Sequence, residues 1–329
     1  MKRTVTVWLC FFAGSHTLAI FDHKGTLPDG VRAVLAAQVP FLQKNDMQAE
    51  IAFFGGSFTA VDGDYRRSLL YAASEYVREF PEIYYGIRCS TRPDCIDEEI
   101  LDELKLYGMT AVELGAQSMN DEVLKANLRG HTAEDVRRAS RLIKAYGFQL
   151  GLQMMTGLYK DTVQSCIDTA REFAALGADT VRIYPTVILR GTMLDELREN
   201  GVYDSFSFEE TVELCADLLE FFEKENIPVI RLGLHASEGV ENAMTGGVYH
   251  PALGEIVKGR IMLRRILEQA EKLGGKRFVI YTDKRNMSLV AGHKGVNRKV
   301  LEDKGIRFKI KVRDGADIEV ENLPFTQLL

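Results

Sequence analysis

The stretch TAVELGA, residues 110–116, sets a glutamate in the middle of an apolar run. An ionised carboxylate in such a place needs a donor or an opposite charge, because burying it alone is strongly unfavourable. The run has the length of a strand, and six others share its character: VTVWLCFF (5–12), IAFFGG (51–56), IYYGIR (83–88), LGLQMMTG (150–157), TVRIYP (180–185) and VIRLGL (229–234). Helix-length segments separate them, which is the pattern of parallel strands buried on both faces. Six or seven βα units fit a partial or complete β/α barrel better than a single mononucleotide-binding half, and an open doubly wound sheet shares the pattern. In either fold the carboxyl ends of the strands face the working crevice. The intervening helices carry their own signals. Ser207 with Glu210 makes a capping box ahead of Val212, Cys215, Leu218 and Phe222, and Thr132 with Asp135 does the same ahead of Val136, Ala139 and Ile143, with Gly147 as the terminator.

A chain of 329 residues with 46% hydrophobic content has the material for one large domain and a small appendage. We expect a β/α barrel domain over 1–272 and a small basic α/β module over 273–329. The apolar opening is short and broken by Gly14 and Ser15, and no run approaches a membrane span, so a cytoplasmic protein with no membrane partner is expected. Cys10, Cys89, Cys95, Cys166 and Cys215 are odd in number and widely spread, which argues against a disulfide framework. Cys166 and Cys215 fall on helical patterns and read as small core residues.

Several polar residues collect at strand ends. Gly55 and Gly56 with Ser57 follow the second run, where a turn of glycines admits a ligand close to the backbone. Glu113, Arg182 and Arg231 are charged residues inside apolar runs and are expected to ring one polar pocket, with Gln117, Gln153 and Tyr184 supplying hydrogen bonds. The tail is different. The net charge is -6, yet Lys276 to Gly315 holds twelve Lys and Arg against four acids, which points to an anionic partner for that end alone. Within it lies AGHKGVNRKV (291–300). Gly292, His293, Lys294 and Gly295 form a GXXG pattern of the kind that clamps a nucleic-acid backbone in a KH module, and Arg298 and Lys299 add charge, so single-stranded RNA is the expected partner.

With these elements in view, the sequence resembles the radical S-adenosylmethionine (SAM) superfamily, specifically bacterial proteins related to the elongator catalytic subunit that modifies wobble uridine in tRNA. The resemblance rests on AFFGGSFT (52–59), STRPD (90–94), VELGAQSMNDEVL (112–124), RGHT (129–132), LGLQMMTGL (150–158), VRIYPTVILRGT (181–192), VIRLGL and YHPALGE (249–255). It implies a partial β/α barrel of radical SAM type, a KH-like tail, and tRNA as a partner. It implies a SAM site as well. Gly55 and Gly56 match the glycine turn that handles the methionyl amino group, Ser57 keeps the subgroup's form, and Glu113, Gln153, Arg182 and Arg231 match polar positions of the pocket. His235 and Ala236 fall where relatives often carry Gln and Pro.

The chain departs from this family at GSHTLAIFDHKG (14–25). There the family carries three cysteines, C-x3-C-x2-C, that hold a [4Fe-4S] cluster and leave one iron for SAM. Here the matching positions are Ser15, Ala19 and Asp22. No ordinary cluster is therefore expected, and reductive cleavage of SAM loses its evident electron source. His16, Asp22 and His23 are the alternative metal ligands, since imidazole and carboxylate suit zinc or iron. The elongator subunit's acetyltransferase domain is also without a counterpart in the sequence. The leading expectation is a degenerate radical-SAM-like protein that binds RNA or a tRNA-related partner and retains SAM. The alternatives are a SAM-dependent RNA-modifying enzyme with an unusual metal or partner-supplied cofactor, and a scaffold for another protein.

Overall fold

The computed structural model describes residues 3–10, 27–54, 56–234, 238–315 and 317–323, the first of these as backbone only. The apolar runs form strands β1 (Arg3–Cys10), β2 (Met47–Phe54), β3 (Tyr84–Thr91), β4 (Met109–Gln117), β5 (Gln149–Thr156) and β6 (Thr180–Pro185), followed by β7 (Val187–Leu189) and β8 (Val229–Leu232). They build a seven-stranded sheet in the order β1-β2-β3-β4-β5-β6-β8, with every neighbouring pair parallel. The sheet curls into a half-barrel, the partial form of the two barrel types expected.

Side-chain alternation divides the sheet into two unlike faces. Ile51, Phe53, Ile87, Cys89, Val112, Leu114, Leu150, Leu152, Val181 and Ile183 point to the convex side and join one apolar core with the surrounding helices. Those helices present their apolar stripes inward: Val136, Ala139 and Ile143 from Ala133–Ala145, and Val212, Cys215, Leu218 and Phe222 from Phe208–Lys224. Both capping boxes form as the sequence implies. Thr132 accepts from Asp135 N at 3.2 Å while Asp135 accepts from Thr132 N at 2.9 Å, and Ser207 and Glu210 repeat the arrangement. The opposite face of the sheet, on the concave side, carries Glu50, Arg88, Ser90, Glu113, Gln153, Arg182 and Tyr184.

Beyond β8, strand β9 (Met244–Gly247) pairs antiparallel with β7 and leads into the helix Leu253–Leu273. This helix belongs to two cores. Leu253, Val257 and Ile261 pack into the barrel, whereas Met262, Leu263, Ile266 and Ala270 pack under a second sheet. That sheet consists of β10 (Arg277–Thr282), β11 (Arg307–Val312) and β12 (Glu319–Asn322), in the order β11-β10-β12. The division expected between 272 and 273 thus falls at the end of a helix that both units share. Arg260, Arg264 and Arg265 on this helix face Glu209, Glu213, Asp217, Glu220 and Glu223 on Phe208–Lys224, and Arg265 also reaches Asp317 at 2.7 Å. Of these pairs, Arg265–Asp317 links the shared helix to the second sheet's side, and the rest join that helix to Phe208–Lys224. Among the described residues no helix is long and apolar enough to cross a membrane.

Candidate functional site

Glu113 answers the question its sequence poses by meeting two guanidinium groups. Arg88 donates to its Oε1 at 2.7 Å, and Arg182 donates through Nε to Oε2 at 2.7 Å and through Nη2 to Oε1 at 3.1 Å. Gln153 donates to Oε2 at 3.0 Å and to Ser90 Oγ at 3.0 Å. Arg88 continues the chain of alternating charge to Glu50, at 2.6 Å. All four ions are at least nine-tenths buried, with Glu113 only 1% exposed. Burial opposes the charge on both arginines, but the Glu113 and Glu50 carboxylates outweigh it and hold Arg88 above its ordinary value; for Arg182 the Glu113 carboxylate does the same. Gly151 makes the room, since a Cβ there would stand 2.4 Å from Glu113 Cγ.

This geometry brings Glu113, Gln153 and Arg182 together, as the sequence implies, and changes what they can do. Each carboxylate oxygen of Glu113 already accepts two hydrogen bonds, Oε1 from Arg88 and Arg182 and Oε2 from Arg182 and Gln153. Ser57 is similarly engaged. Its hydroxyl lies 2.8 Å from Thr91 Oγ1 and accepts from Arg92 N at 3.1 Å, while Thr59 links Thr91 at 2.5 Å to the Cys95 carbonyl at 2.7 Å. These hydroxyls sew the turn after β2 to the end of β3. Gly56 is exposed beside them. Gly55, Ser15, His16, Ala19, Asp22, His23, His235 and Ala236 lie outside the described residues.

The groups with unspent bonding capacity are different ones. Arg231, level with Arg182 across the β6–β8 pairing, donates to the Gly233 carbonyl at 2.7 Å and has no ion-pair partner among the described carboxylates. Burial lowers its pKa, and nearby Arg182 adds to this while Tyr184 opposes it. Arg129, half-buried in the loop between the helices Asp121–Ala126 and Ala133–Ala145, likewise has no described carboxylate, and burial followed by the charge of Arg92 lowers its pKa. His131 ties this loop to β4 by donating to the Ala116 carbonyl at 3.0 Å. Gln117, at the end of β4 with φ +67° and 8% exposure, has a buried Oε1 without a donor among the described residues. A guanidinium without a counter-ion among the described residues suits a ligand carboxylate, and the amide oxygen of Gln117 suits a ligand hydrogen-bond donor. Arg129 was not singled out from the sequence; RGHT reads there as a family signature, and only the folded loop reveals that its arginine lacks a partner.

The described cysteines do not meet on this face. Cys89 is in the convex core, and Cys166 and Cys215 are buried under helices. Burial raises all three thiols, Cys215 to about 12, and also raises that of half-buried Cys95. Thiols so placed do not fit the three-thiolate ligation of a [4Fe-4S] cluster, and no group of three His, Cys, Asp or Glu among the described residues is arranged to hold a metal ion.

In the second unit the GHKG turn joins two helices, Met287–Ala291 and Val296–Asp303, and closes with Gly295 N donating to the Gly292 carbonyl at 2.9 Å. Gly292 has φ 77° and ψ 159°, and a Cβ there would meet the backbone nitrogen of Asn297 at 2.8 Å. Asn297 is buried and donates to the carbonyls of Gly259 and Leu289, at 2.8 and 3.0 Å, which fastens the turn to the shared helix. Lys294, Arg298 and Lys299 face solvent. His293 does not; its ring stands edge-to-face with His250, with centroids 5.1 Å apart, and its Nε2 is buried. Burial, then His293 and Lys294, hold His250 below the ordinary histidine range.

A curled parallel half-barrel with a polar concave face is the architecture of radical SAM proteins, and the chain belongs to that superfamily: residues 29–173 match the Radical SAM superfamily and residues 178–262 the Radical SAM C-terminal domain. Within it the chain is similar to Elongator complex protein 3. It is 31% identical to the Homo sapiens protein over 228 residues, which cover 60% of this chain and 42% of that one, and 28% identical to the Saccharomyces cerevisiae protein, covering 60% and 41%. The chain therefore spans about two-fifths of the length of these relatives. The structure of the archaeal Methanocaldococcus infernus Elp3 with an N-terminal deletion shares the fold, with a TM-score of 0.61 at 22% identity over 83% of this chain and 63% of that one.

Proposed function

We propose that this protein binds SAM or a closely related ligand on the concave face of the half-barrel and single-stranded RNA, tRNA included, at the GHKG turn, without assembling the ordinary cluster of its superfamily. The observation that carries the reading is the mismatch between the two kinds of group on the barrel. Arg129 and Arg231, without a carboxylate partner among the described residues, and the oxygen of Gln117, without a donor among them, support retention of a ligand site, while buried, dispersed thiols support the loss of the cluster. The sequence adds that no cysteine occurs between Cys10 and Cys89. On this reading the ligand carboxylate is met by Arg129 or Arg231, and Gln117 Oε1 accepts from an ammonium, amine or hydroxyl of the ligand. Glu113, Arg88 and Arg182 keep the face rigid beneath it.

The test is titration calorimetry with SAM. Arg129→Ala or Arg231→Ala is expected to weaken binding by roughly tenfold or more, the usual consequence of removing a charge-assisted hydrogen bond. Unchanged affinity in both variants would remove SAM from this face. For the second unit, replacing Lys294 and Arg298 together by alanine is expected to reduce the slope of log affinity for a single-stranded RNA against log salt by about 1.4, because two phosphate contacts are lost at about 0.7 each on a single strand. An unaltered slope would place the RNA elsewhere.

A further inference from the structure

Two groups of aromatic rings, His293–His250–Phe208 and Tyr203–Tyr159 with Phe206, lie between the GHKG turn and the end of β5, joined through the chain segment 203–208. His293 lies edge-to-face against His250, and His250 lies edge-to-face against Phe208, with centroids 6.3 Å apart. Two residues earlier, Phe206 rests on Gly157 just past the end of β5, where a Cβ would stand 3.1 Å from its ring. Tyr203 donates its hydroxyl to the Gly157 carbonyl and meets Tyr159 edge-to-face at 5.9 Å. The line has a cation at each end. Lys294 follows His293 and is exposed, and Lys160 places its Nζ 5.9 Å from the centroid of Tyr159.

Phe208 is 42% exposed at the first turn of its helix, although burial of that ring would contribute to stability, and Tyr159, Phe206, His250 and His293 are half-buried. Of the neighbouring acids, Glu209 pairs with Arg260 at 2.6 Å and Glu210 caps Ser207, while Asp204, between Tyr203 and Phe206, is exposed and faces solvent. A single-stranded nucleic acid needs a phosphate grip and then a succession of π-faces, which hold bases of any sequence.

We infer that this aromatic line is a stacking track for single-stranded RNA, which leads bases from a phosphate grip at Lys294 and Arg298 to the mouth of the half-barrel. The inference rests on the reading of the GHKG turn as an RNA clamp. It assigns His293 and His250 to the path between the two units, with Phe208 as its most accessible platform. Because the ring pairs cross the junction of the two units, the track has a fixed direction relative to the concave face. A base that leaves it at Phe206 arrives beside β5, which carries Gln153.

Oligouridylates of about four and about eight nucleotides separate the clamp from the track, since a GXXG turn grips about four. In the full chain, the longer oligomer is expected to bind at least about fivefold more tightly than the shorter, the smallest gain that stacking of one further base confers. Phe208→Ala is expected to remove that gain while leaving the short oligomer unaffected, and Phe208→Trp to restore it. A 2-aminopurine at the far end of the longer oligomer is expected to be quenched by the unmodified protein and not by Phe208→Ala. Equal binding of the two lengths, or equal loss on both in Phe208→Ala, would overturn the track while leaving the clamp. Failure of the unmodified protein to bind either length would overturn the clamp and the track together.

Discussion

Replacing Glu113 by alanine is expected to lower the unfolding free energy by about 3–5 kcal/mol, because it leaves Arg88 and Arg182 buried with one carboxylate removed from between them. Arg88 keeps Glu50 at 2.6 Å, whereas Arg182 loses the carboxylate to which it donates through both Nε and Nη2. The loss is read as a shift of the urea midpoint with an unchanged slope. Glu113→Gln is expected to destabilise less, since an amide oxygen still accepts from one guanidinium while its NH2 faces the other. The same pair of variants separates two roles for this residue. A structural carboxylate produces a loss of stability in proportion to the bonds broken, with ligand affinity following stability. A ligand-binding carboxylate would instead show weakened SAM binding in Glu113→Gln at full stability, and that result would contradict the arrangement derived above.

The second large effect is expected at Gly292. Its backbone lies at φ 77° and ψ 159°, a region that only glycine enters without strain, and any Cβ would press on Asn297, itself a buried strut between three helices. Strain and overpacking each cost about 1–3 kcal/mol, so Gly292→Ala is expected to unfold or unseat the second unit and to abolish RNA binding with it. Gly295 provides the comparison. It also has positive φ, at 78°, but a Cβ there would meet nothing within 4 Å, so Gly295→Ala is expected to cost only about 1–2 kcal/mol and to leave the unit folded. Hydrogen exchange of the helix Val296–Asp303 distinguishes the two variants. Equal protection in both would show that Asn297 does not depend on Gly292.

How far the sequence carried depends on the range of the interaction involved. Strands β2 to β6 were legible because residues buried on both faces leave an uninterrupted apolar run, and the two capping boxes were legible because both partners lie within four residues. The charged residues inside those runs marked the concave face correctly as a place, since Glu113, Gln153 and Arg182 do converge there. Their saturation was not legible. It depends on Arg88 and Glu50, which lie 25 and 63 residues from Glu113 and look in isolation like ordinary strand-end charges. Arg129 and Gln117 were hidden for the opposite reason: what distinguishes them is a missing partner, and only three-dimensional packing reveals who stands near whom. The GHKG turn was found by its glycines, whereas the inward turn of His293 depends on His250, 43 residues earlier and across the junction of two units.

Whether the chain holds a cluster is decided by measuring iron and acid-labile sulfide in protein purified and reconstituted without oxygen, alongside other metals in the same sample. Iron and sulfide are expected well below one cluster per chain, with SAM binding by calorimetry preserved in that same preparation. Near-stoichiometric iron and sulfide would contradict that expectation and show that the chain assembles a cluster by other ligands. A single bound metal without sulfide would contradict it differently, by directing attention to His16, Asp22 and His23.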